Sequence, residues 1–292
     1  MSDHRDTVTA GLRESRKYSH VCPDALARVA EWALARHPTP KAALKAAKRK
    51  LHQVYGAYLG QPDLRRLEGV VAGLGPDADP AQVEPACREA LAAHASTAER
   101  LPIIERLYAD LWSVTGVPQA VADLACGLNP FALPWMGLPA DATYHPCDLD
   151  EQLMGLVNAF LVRIGRPAVA TCRDILVSPP REPAEVALLL KTAPCLEQQE
   201  PGATLRLLRQ LPARWMVVSF PAQTLGGRQK GMREHYGQFI EAVAGQLAVP
   251  MRALSYPTEM VYVLETAWRG EVPQGQPDNT QPAPRGPSAV GR

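Results

Sequence analysis

The stretch AVADLACGLNP at residues 120–130 decides the fold that we predict for this chain. It begins as an apolar run of strand length and continues into Gly127, a residue that lets the backbone turn sharply beside a ligand. Similar apolar runs follow it, at residues 142–148, 168–174, 185–191 and 214–220. Helical stretches separate these runs, notably 150–164 and 203–211. Strands that alternate with helices indicate right-handed crossovers and a parallel sheet.

The last two strand-like segments depart from this alternation. Residues 251–256 and 260–266 are separated only by the short segment 257–259, which predicts a hairpin. A parallel sheet that finishes in an antiparallel strand is typical of class I methyltransferases and unusual for dinucleotide dehydrogenases. We therefore predict an α/β fold over residues 93–268, with a Rossmann-like methyltransferase sheet and a terminal antiparallel strand.

Residues 1–92 are predicted to form a separate helical domain, because Ala, Leu, Lys and Arg dominate and alternating strand patterns are absent. Residues 1–66 contain 13 Lys and Arg against 6 Asp and Glu, a net charge of +7 in a chain whose overall charge is +1. Such a basic segment favours a polyanionic partner. An ordinary solvated helical surface is the alternative.

The domain that follows is predicted to open with a helix. Ser96 and Glu99 have the spacing of a capping box, in which each side chain bonds the backbone N–H of the other residue. The helix is expected to begin there and to run through Arg100 toward Trp112.

Polar residues follow three of the predicted strands at the points where these strands end. Asp148, Asp174 and Lys191 occupy these positions, although each one alone could be a surface charge. The carboxyl ends of parallel strands meet at the edge where open α/β sheets bind ligands. Asp148 can accept hydrogen bonds from ribose hydroxyls, and Asp174 can accept one from an adenine amino group. Because the loop at Gly127 lacks the GxGxxG pattern of a pyrophosphate cradle, a nucleoside cofactor without phosphates is favoured.

Cysteine and hydropathy patterns exclude several other classes. The six cysteines form no CxxC pair and no Cys/His cluster with zinc spacing, so we expect reduced core residues and no metal site. No apolar run approaches the roughly 20 residues that cross a bilayer, and the polar N terminus lacks a signal peptide. We expect a cytoplasmic, monomeric protein without a membrane partner. Residues 269–292, rich in Pro, Gly and Gln, are expected to be a disordered tail.

Five longer motifs resemble one family. They are HASTAER (94–100), DLACGLNPFALPWM (123–136), YHPCDLD (144–150), LLLKTAPCLEQQ (188–199) and SFPAQTLGGRQKGM (219–232). Together they resemble the aminoglycoside-resistance 16S ribosomal RNA guanine-N7 methyltransferases of the Arm family, over roughly residues 20–268. The resemblance implies a helical N-terminal domain that docks on the 30S subunit and a methyltransferase domain that uses S-adenosylmethionine.

The resemblance also implies a set of cofactor-binding residues. They are Arg100 for the methionine carboxylate, Ala125 and Gly127 along the cofactor, Asp148 for the ribose, Asp174 and Ile175 for the adenine, Leu190 and Gln199 at the edge of the pocket, and Tyr58 from the N-terminal domain. Lys191 is expected over the methyl-transfer centre. His94 and Ser96 are further candidates, and Ser96 is also a candidate helix cap.

The predicted chemistry needs alignment rather than an acid or base. Guanine N7 has an exposed lone pair, so attack on the sulfonium methyl requires only that nucleophile, carbon and sulfur lie in line. We therefore nominate no catalytic general base. The same logic holds for adenine N1, which is the closest alternative target. A non-catalytic ribosome-binding protein that retained the fold is the alternative from another class.

Two basic segments are the candidate RNA contacts. The helix after Pro40 has a basic stripe with an apolar face opposite, and residues 224–236 combine glycines with cations that could grip a flipped guanine. The candidate residues are Lys41, Lys45, Lys48, Arg49 and Lys50 in the helix, and Arg228, Lys230, Met232 and Arg233 in the later segment. An ordinary loop that leads into a helix is the alternative for residues 224–236.

Overall fold

A seven-stranded mixed sheet forms the centre of the computed structural model, which describes residues 2–55, 63–76, 78–222 and 231–267. The strands are β1 (Ala120–Leu124), β2 (Thr143–Asp148), β3 (Thr171–Cys172), β4 (Ala184–Leu190), β5 (Ala213–Pro221), β6 (Met251–Ser255) and β7 (Glu259–Glu265). Their order across the sheet is β3-β2-β1-β4-β5-β7-β6. Strands β1 to β5 are parallel, and β7 lies antiparallel between β5 and β6. The predicted α/β fold with a terminal antiparallel strand is confirmed.

Helices surround this sheet and precede it. They are α1 (Ser2–Arg13), α2 (Pro23–Leu34), α3 (Pro40–Tyr55), α4 (Leu64–Ala72), α5 (Pro80–Ala92), α6 (Ala95–Ala98), α7 (Ile104–Thr115), α8 (Leu133–Met136), α9 (Glu151–Arg163), α10 (Ala193–Gln199), α11 (Ala203–Gln210) and α12 (Met232–Leu247). The helices predicted at 150–164 and 203–211 are confirmed within one residue at each end.

The central strands are apolar on both faces because each face of the sheet is covered. Leu188 and Val217 belong to one buried cluster, and their neighbours Leu189 and Val218 belong to another. Successive side chains of a strand point to opposite faces, so the two clusters are the two faces of the sheet. Near-continuous apolar runs are what a parallel sheet covered on both sides requires. This burial leaves the strand ends as the place for polar function.

The predicted boundary between residues 92 and 93 does not coincide with the packing. Helices α1 to α3 enclose their own apolar cluster, whereas α4 and α5 contribute Leu67, Val71 and Cys87 to a cluster of the sheet. Helix α4 packs on α9, and α5 packs beside the 3-10 turn at Asn129–Ala132. The separate helical unit is therefore α1 to α3, and α4 and α5 belong to the sheet domain. Composition suggested one helical domain because both groups are rich in the same helix-forming residues.

Two local predictions also need correction. The capping box at Ser96 does not form: His94 is the N-cap of α6, and its ring nitrogen accepts a hydrogen bond from the backbone N–H of Ser96. The helix ends after four residues, and the longer α7 begins only at Ile104. Strand β3 is shorter than the predicted 168–174, because Asp174 already belongs to a turn in which its backbone oxygen accepts from Val177 and Ser178.

Some predictions fall outside the described residues. They concern Tyr58, Arg228, Lys230 and the tail at 269–292. The cysteine prediction is confirmed in its main part, since the six thiols are free and four of them are buried.

Candidate functional site

The carboxyl ends of β1 and β4 carry left-handed backbone conformations side by side. Ala125 has a φ of 49°, Gly127 of 52° and Lys191 of 58°. Only glycine adopts this region without strain, so Ala125 and Lys191 hold conformations that the surrounding structure must stabilise. A Cβ built on Gly127 would meet no atom within 4 Å, which indicates open space beside the loop. The predicted residues Ala125, Gly127 and Lys191 therefore share one edge of the sheet, and the open space beside Gly127 is the candidate ligand cleft.

Asp148 ends β2 at the same edge and is tied to the loop of β1. Its Oδ2 accepts a hydrogen bond from the backbone N–H of Gly127 at 2.9 Å, and its Oδ1 accepts one from Leu149 at 2.6 Å. Burial raises the pKa of Asp148, and the backbone N–H groups of Gly127, Leu149 and Asp150 oppose that shift. A carboxylate oxygen has two lone pairs, so each oxygen can accept a second donor. The arrangement suits a carboxylate that receives two neighbouring hydroxyl groups.

Asp174 lies just beyond β3, and a residue of the N-terminal unit holds it. Its Oδ2 accepts a hydrogen bond at 2.6 Å from Nε of Arg28, which lies in α2. Its Oδ1 accepts one from the backbone N–H of Leu176 at 3.0 Å. Ile175, which was predicted to pack on adenine, is buried in the apolar cluster of one sheet face.

Arg28 also reaches the last residue of α10. Its Nη2 donates to Oε1 of Gln199 at 2.8 Å. The ammonium of Lys50, in α3, donates to the backbone oxygen of Gln199 at 3.2 Å and lies 5.3 Å from the ring centre of Trp32. Burial lowers the pKa of Lys50, and the nearby cations Arg28 and Arg36 lower it further. The structure thus gives Lys50 an intramolecular contact, and its phosphate contact stays a prediction.

The opposite side of the cleft contains Arg100, which forms a buried ion pair. Its Nε and Nη2 donate to the two carboxylate oxygens of Glu259 at 3.0 and 2.8 Å. The exposed fraction is 3% for Arg100 and 0% for Glu259. Burial opposes the charged form of Glu259, but Arg100 lowers the pKa of this carboxyl below its ordinary value. The predicted cofactor residue Arg100 is therefore fixed in place by a partner at the start of β7.

A chain of buried hydrogen bonds continues from Arg100 to the first strand. Nη1 of Arg100 donates to Oδ1 of Asn129 at 2.9 Å, and Nδ2 of Asn129 donates to Oδ2 of Asp123 at 2.8 Å. The hydroxyl of Tyr108 also donates to Asn129, and that of Tyr144 to Asp123. Within the part of the chain that the structure describes, Oδ1 of Asp123 has no hydrogen-bond partner. Burial raises the pKa of Asp123 to about 6.

Lys191 closes the cleft between these groups and α6. Its ammonium donates to Glu99 at 2.7 Å and to the backbone oxygen of Ser96 at 3.1 Å, and it lies 3.7 Å from Glu259. The ring of His94 and the hydroxyl of Ser96 are 2.7 Å apart. Burial, and next the charge of Lys191, lower the pKa of His94. The predicted residues His94, Ser96, Arg100 and Lys191 therefore form one group.

Leu190 and Gln199 complete the described part of the predicted cofactor set. Leu190 is the half-buried last residue of β4, and Gln199 ends α10. The described part of the predicted cofactor set thus converges on the carboxyl edge of the sheet.

Sequence reasoning missed Arg28, Glu259 and Asn129. Glu259 was assigned to the turn before the last strand, where an acidic residue is normally exposed. Its signal is a single acid at the head of the apolar run EMVYVLE. Arg28 gave no local signal, because it meets Asp174 across 146 residues of sequence.

The predicted RNA contacts fall on two separate surfaces. Lys41, Lys45 and Arg49 are exposed on α3, and Lys48 is half-buried beside them. Met232 opens α12 and is half-buried. The guanidinium of Arg233 donates to the hydroxyl of Ser255 and to the backbone oxygen of Tyr256, and its RNA contact stays a prediction.

Among the described ranges, no helix is both long and apolar enough to cross a bilayer. The same ranges contain no cluster of three His, Cys, Asp or Glu side chains arranged to hold a metal ion.

Comparison with known proteins identifies ribosomal RNA methyltransferases as relatives. The family described as "Ribosomal RNA methyltransferase (FmrO)" matches residues 14–263. A 16S rRNA (guanine(1405)-N(7))-methyltransferase of Micromonospora echinospora is 38% identical over 272 residues, which is 90% of this chain and 97% of the relative. The protein of the same name from Serratia marcescens is 32% identical, over 89% of this chain and 97% of that protein.

Solved structures agree with these relatives. The crystal structure of the 16S rRNA methyltransferase RmtF in complex with S-adenosyl-L-homocysteine superposes with a TM-score of 0.75 and 32% identity. The superposition covers 91% of this chain and 99% of RmtF.

Proposed function

The chain belongs to the FmrO family of ribosomal RNA methyltransferases, and we propose that it transfers a methyl group from S-adenosylmethionine to N7 of guanine 1405 in 16S rRNA. The observation that carries the proposal is the placement of Asp148 and Asp174 at the ends of neighbouring parallel strands, beside the left-handed loop at Gly127. Two carboxylate acceptors in these positions suit a nucleoside site without a phosphate cradle. We further propose that the enzyme acts in the cytoplasm, as a monomer, and confers aminoglycoside resistance.

The fit of the cofactor follows from the chemistry of the side chains. Asp148 would accept both ribose hydroxyls, and Asp174 would accept the adenine amino group while Ile175 forms the apolar wall. Arg100 would meet the methionine carboxylate, since a guanidinium has five N–H donors and the hydrogen bonds to Glu259 and Asn129 use three of them. Leu190 and Gln199 would close the pocket.

The bound cofactor supplies an electrophilic methyl group on a sulfonium. The protein's task is to hold the cofactor and the base in line, because N7 of guanine attacks with a lone pair and loses no proton. Lys191 is anchored by Glu99 and Ser96, so it is a rigid wall rather than a free acid. The buried network from Arg100 to Asp123 fixes the same side of the cleft. No general base is part of the proposal.

The basic surface of α3 supports docking on the 30S subunit. Lys41, Lys45, Lys48 and Arg49 would contact phosphates, which position the protein without specifying sequence. Met232 would lie near the target base, as would Arg228 and Lys230 of the segment whose structure is not described. Lys50 and Arg233 are left out because they have intramolecular partners.

Methylation of purified 30S subunits and of naked 16S rRNA tests the proposal. Labelled methyl groups should enter the 30S subunit, and mass mapping of RNA fragments should locate them on N7 of one guanine. Label on adenine N1 would establish the alternative target. If calorimetry detects no affinity for S-adenosylmethionine, the enzyme function is wrong and a ribosome-binding protein remains.

Asp148, the last residue of β2, and Asp141, which precedes the strand, provide a matched pair of variants. Asp148→Ala should weaken cofactor binding at least about tenfold, because it removes two charge-assisted hydrogen bonds. Asp141→Ala removes an exposed carboxylate at the other end of the same strand and should leave the affinity unchanged. Equal affinities in the two variants would place the cofactor elsewhere.

A further inference from the structure

Arg28 joins the N-terminal helical unit to two residues of the proposed adenine pocket. Its Nε donates to Oδ2 of Asp174 at 2.6 Å and its Nη2 to Oε1 of Gln199 at 2.8 Å. Asp174 lies just past β3 and Gln199 ends α10, so one guanidinium bridges two elements of the sheet domain.

Backbone contacts fix α2 relative to the sheet. The N–H of Cys22, the N-cap of α2, donates to the backbone oxygen of Leu149 at 2.8 Å, and the N–H of Glu151 donates to His20 at 2.8 Å. These two bonds flank an antiparallel bridge between Val21 and Asp150. The anchoring point directly follows Asp148, so the position of Arg28 is set by the strand end that would hold the ribose.

The guanidinium also decides which way the Gln199 amide faces. Arginine only donates hydrogen bonds, so the amide atom that faces Arg28 must be the oxygen. The Nε2 amino group of Gln199 is then the end that can donate to a ligand. Asp174 remains an acceptor, because each of its oxygens has one bond and a second lone pair. One acceptor and one donor are thereby set beside each other.

We propose that Arg28 is a positioning residue that makes this end of the pocket selective for adenine. Adenine presents an amino donor at C6 and a lone pair at N1, which complements an acceptor beside a donor. Hypoxanthine presents the reverse pattern, a carbonyl oxygen at C6 and an N–H at N1. The inference rests on the proposed cofactor function and adds a specificity determinant from outside the methyltransferase sheet.

Calorimetry with two ligands tests the proposal on the full-length protein. The probes are S-adenosylhomocysteine and its hypoxanthine analogue, in which a carbonyl oxygen replaces the 6-amino group. The wild type should prefer the adenine ligand at least about tenfold. In Arg28→Ala the adenine ligand should bind about tenfold more weakly and most of the preference should disappear, because both pocket residues can reorient. Arg36→Ala removes a charge of the same unit that stacks on Trp32, and it should retain the full preference.

Arg28→Lys keeps the charge, so the ligand preference can still be measured if the alanine variant unfolds. A single ammonium cannot reproduce the two-partner fork of arginine, so the preference should fall while the folded state is retained. If both Arg28 variants weaken the two ligands by the same factor, the preference is unchanged and Arg28 is only a structural tie. If the wild type binds neither ligand, the proposed cofactor function fails, and the inference fails with it. Binding of both ligands without preference by the wild type would overturn the inference alone.

Discussion

Two arginines bind carboxylates at opposite sides of the proposed cofactor cleft, and they differ in origin. Arg100 and Glu259 are exposed by 3% and 0%, and both belong to the sheet domain. Arg28 comes from the N-terminal unit, and its side chain is 24% exposed while that of Asp174 is 2% exposed. A fully buried pair inside one domain builds the wall of a site. A partly exposed pair across two units connects the site to another part of the molecule.

Breaking the buried pair should give the largest effect. Arg100→Ala leaves the carboxylate of Glu259 buried without its main partner, and we expect a loss of about 3 to 5 kcal/mol in the free energy of unfolding. Cofactor binding should be lost as well. Urea unfolding and calorimetry measure the two effects.

Replacing both charged residues by uncharged ones distinguishes the effect of Arg100 on stability from its effect on cofactor binding. The double variant Arg100→Met, Glu259→Gln removes both charges and should recover part of the stability, since a buried ion pair can be replaced by uncharged groups. Cofactor affinity should stay low, because the proposed partner of the methionine carboxylate is still missing. Recovery of affinity together with stability would mean that Arg100 acts only in folding.

Asp123, which belongs to the buried network around Arg100, should make the stability of the protein depend on pH. Burial raises its pKa to about 6 from an ordinary value of 3.8, so between these values the folded state binds more protons than the unfolded state. Its contribution therefore makes the protein less stable as pH rises through this window. Asp123→Asn removes the titrating group, and relative to wild type it should gain on the order of 1 to 3 kcal/mol between pH 4 and pH 7. His94 and Glu259 titrate in both proteins, so the difference isolates Asp123; a difference that does not change with pH would contradict this prediction.

The smallest effects are expected for two lysines of α3, which should differ in what their loss weakens. Lys45→Ala should weaken 30S binding slightly, lower its salt dependence by about one ion and leave cofactor affinity unchanged, because Lys45 is exposed. Lys50→Ala should leave 30S binding unchanged. It should lower cofactor affinity roughly two- to fivefold, because Lys50 holds the backbone oxygen of Gln199. Filter binding to 30S subunits and calorimetry compare them. Equal effects of the two variants on 30S binding would contradict the assignment.

The sequence predicted those features that depend on local patterns. Strand runs, the final hairpin and the strand-end residues Asp148, Asp174 and Lys191 follow from periodicity and from the topology of parallel sheets. The family resemblance then added the cofactor. These signals are local or repeated, so one chain is enough to detect them.

What the sequence did not predict depends on contacts between distant segments. The pairing of Arg28 with Asp174 and of Arg100 with Glu259 spans 146 and 159 residues. Helices α4 and α5 join the sheet domain because their apolar faces fit it, and their composition alone resembles that of α1 to α3. The cap of α6 is His94 instead of Ser96, and a histidine ring in that position has no part in the capping-box pattern that the sequence showed.

The position of Arg28 has a consequence for turnover. Its contacts are with residues proposed to read adenine, a part of the cofactor that methyl transfer leaves unchanged. The product S-adenosylhomocysteine would therefore be bound at this end as tightly as the methyl donor. Discrimination between donor and product can arise only where the sulfur and its charge lie, on the side of Lys191 and Arg100. The adenine end of the cleft thus binds the methyl donor and the product alike, and the sulfur end distinguishes between them.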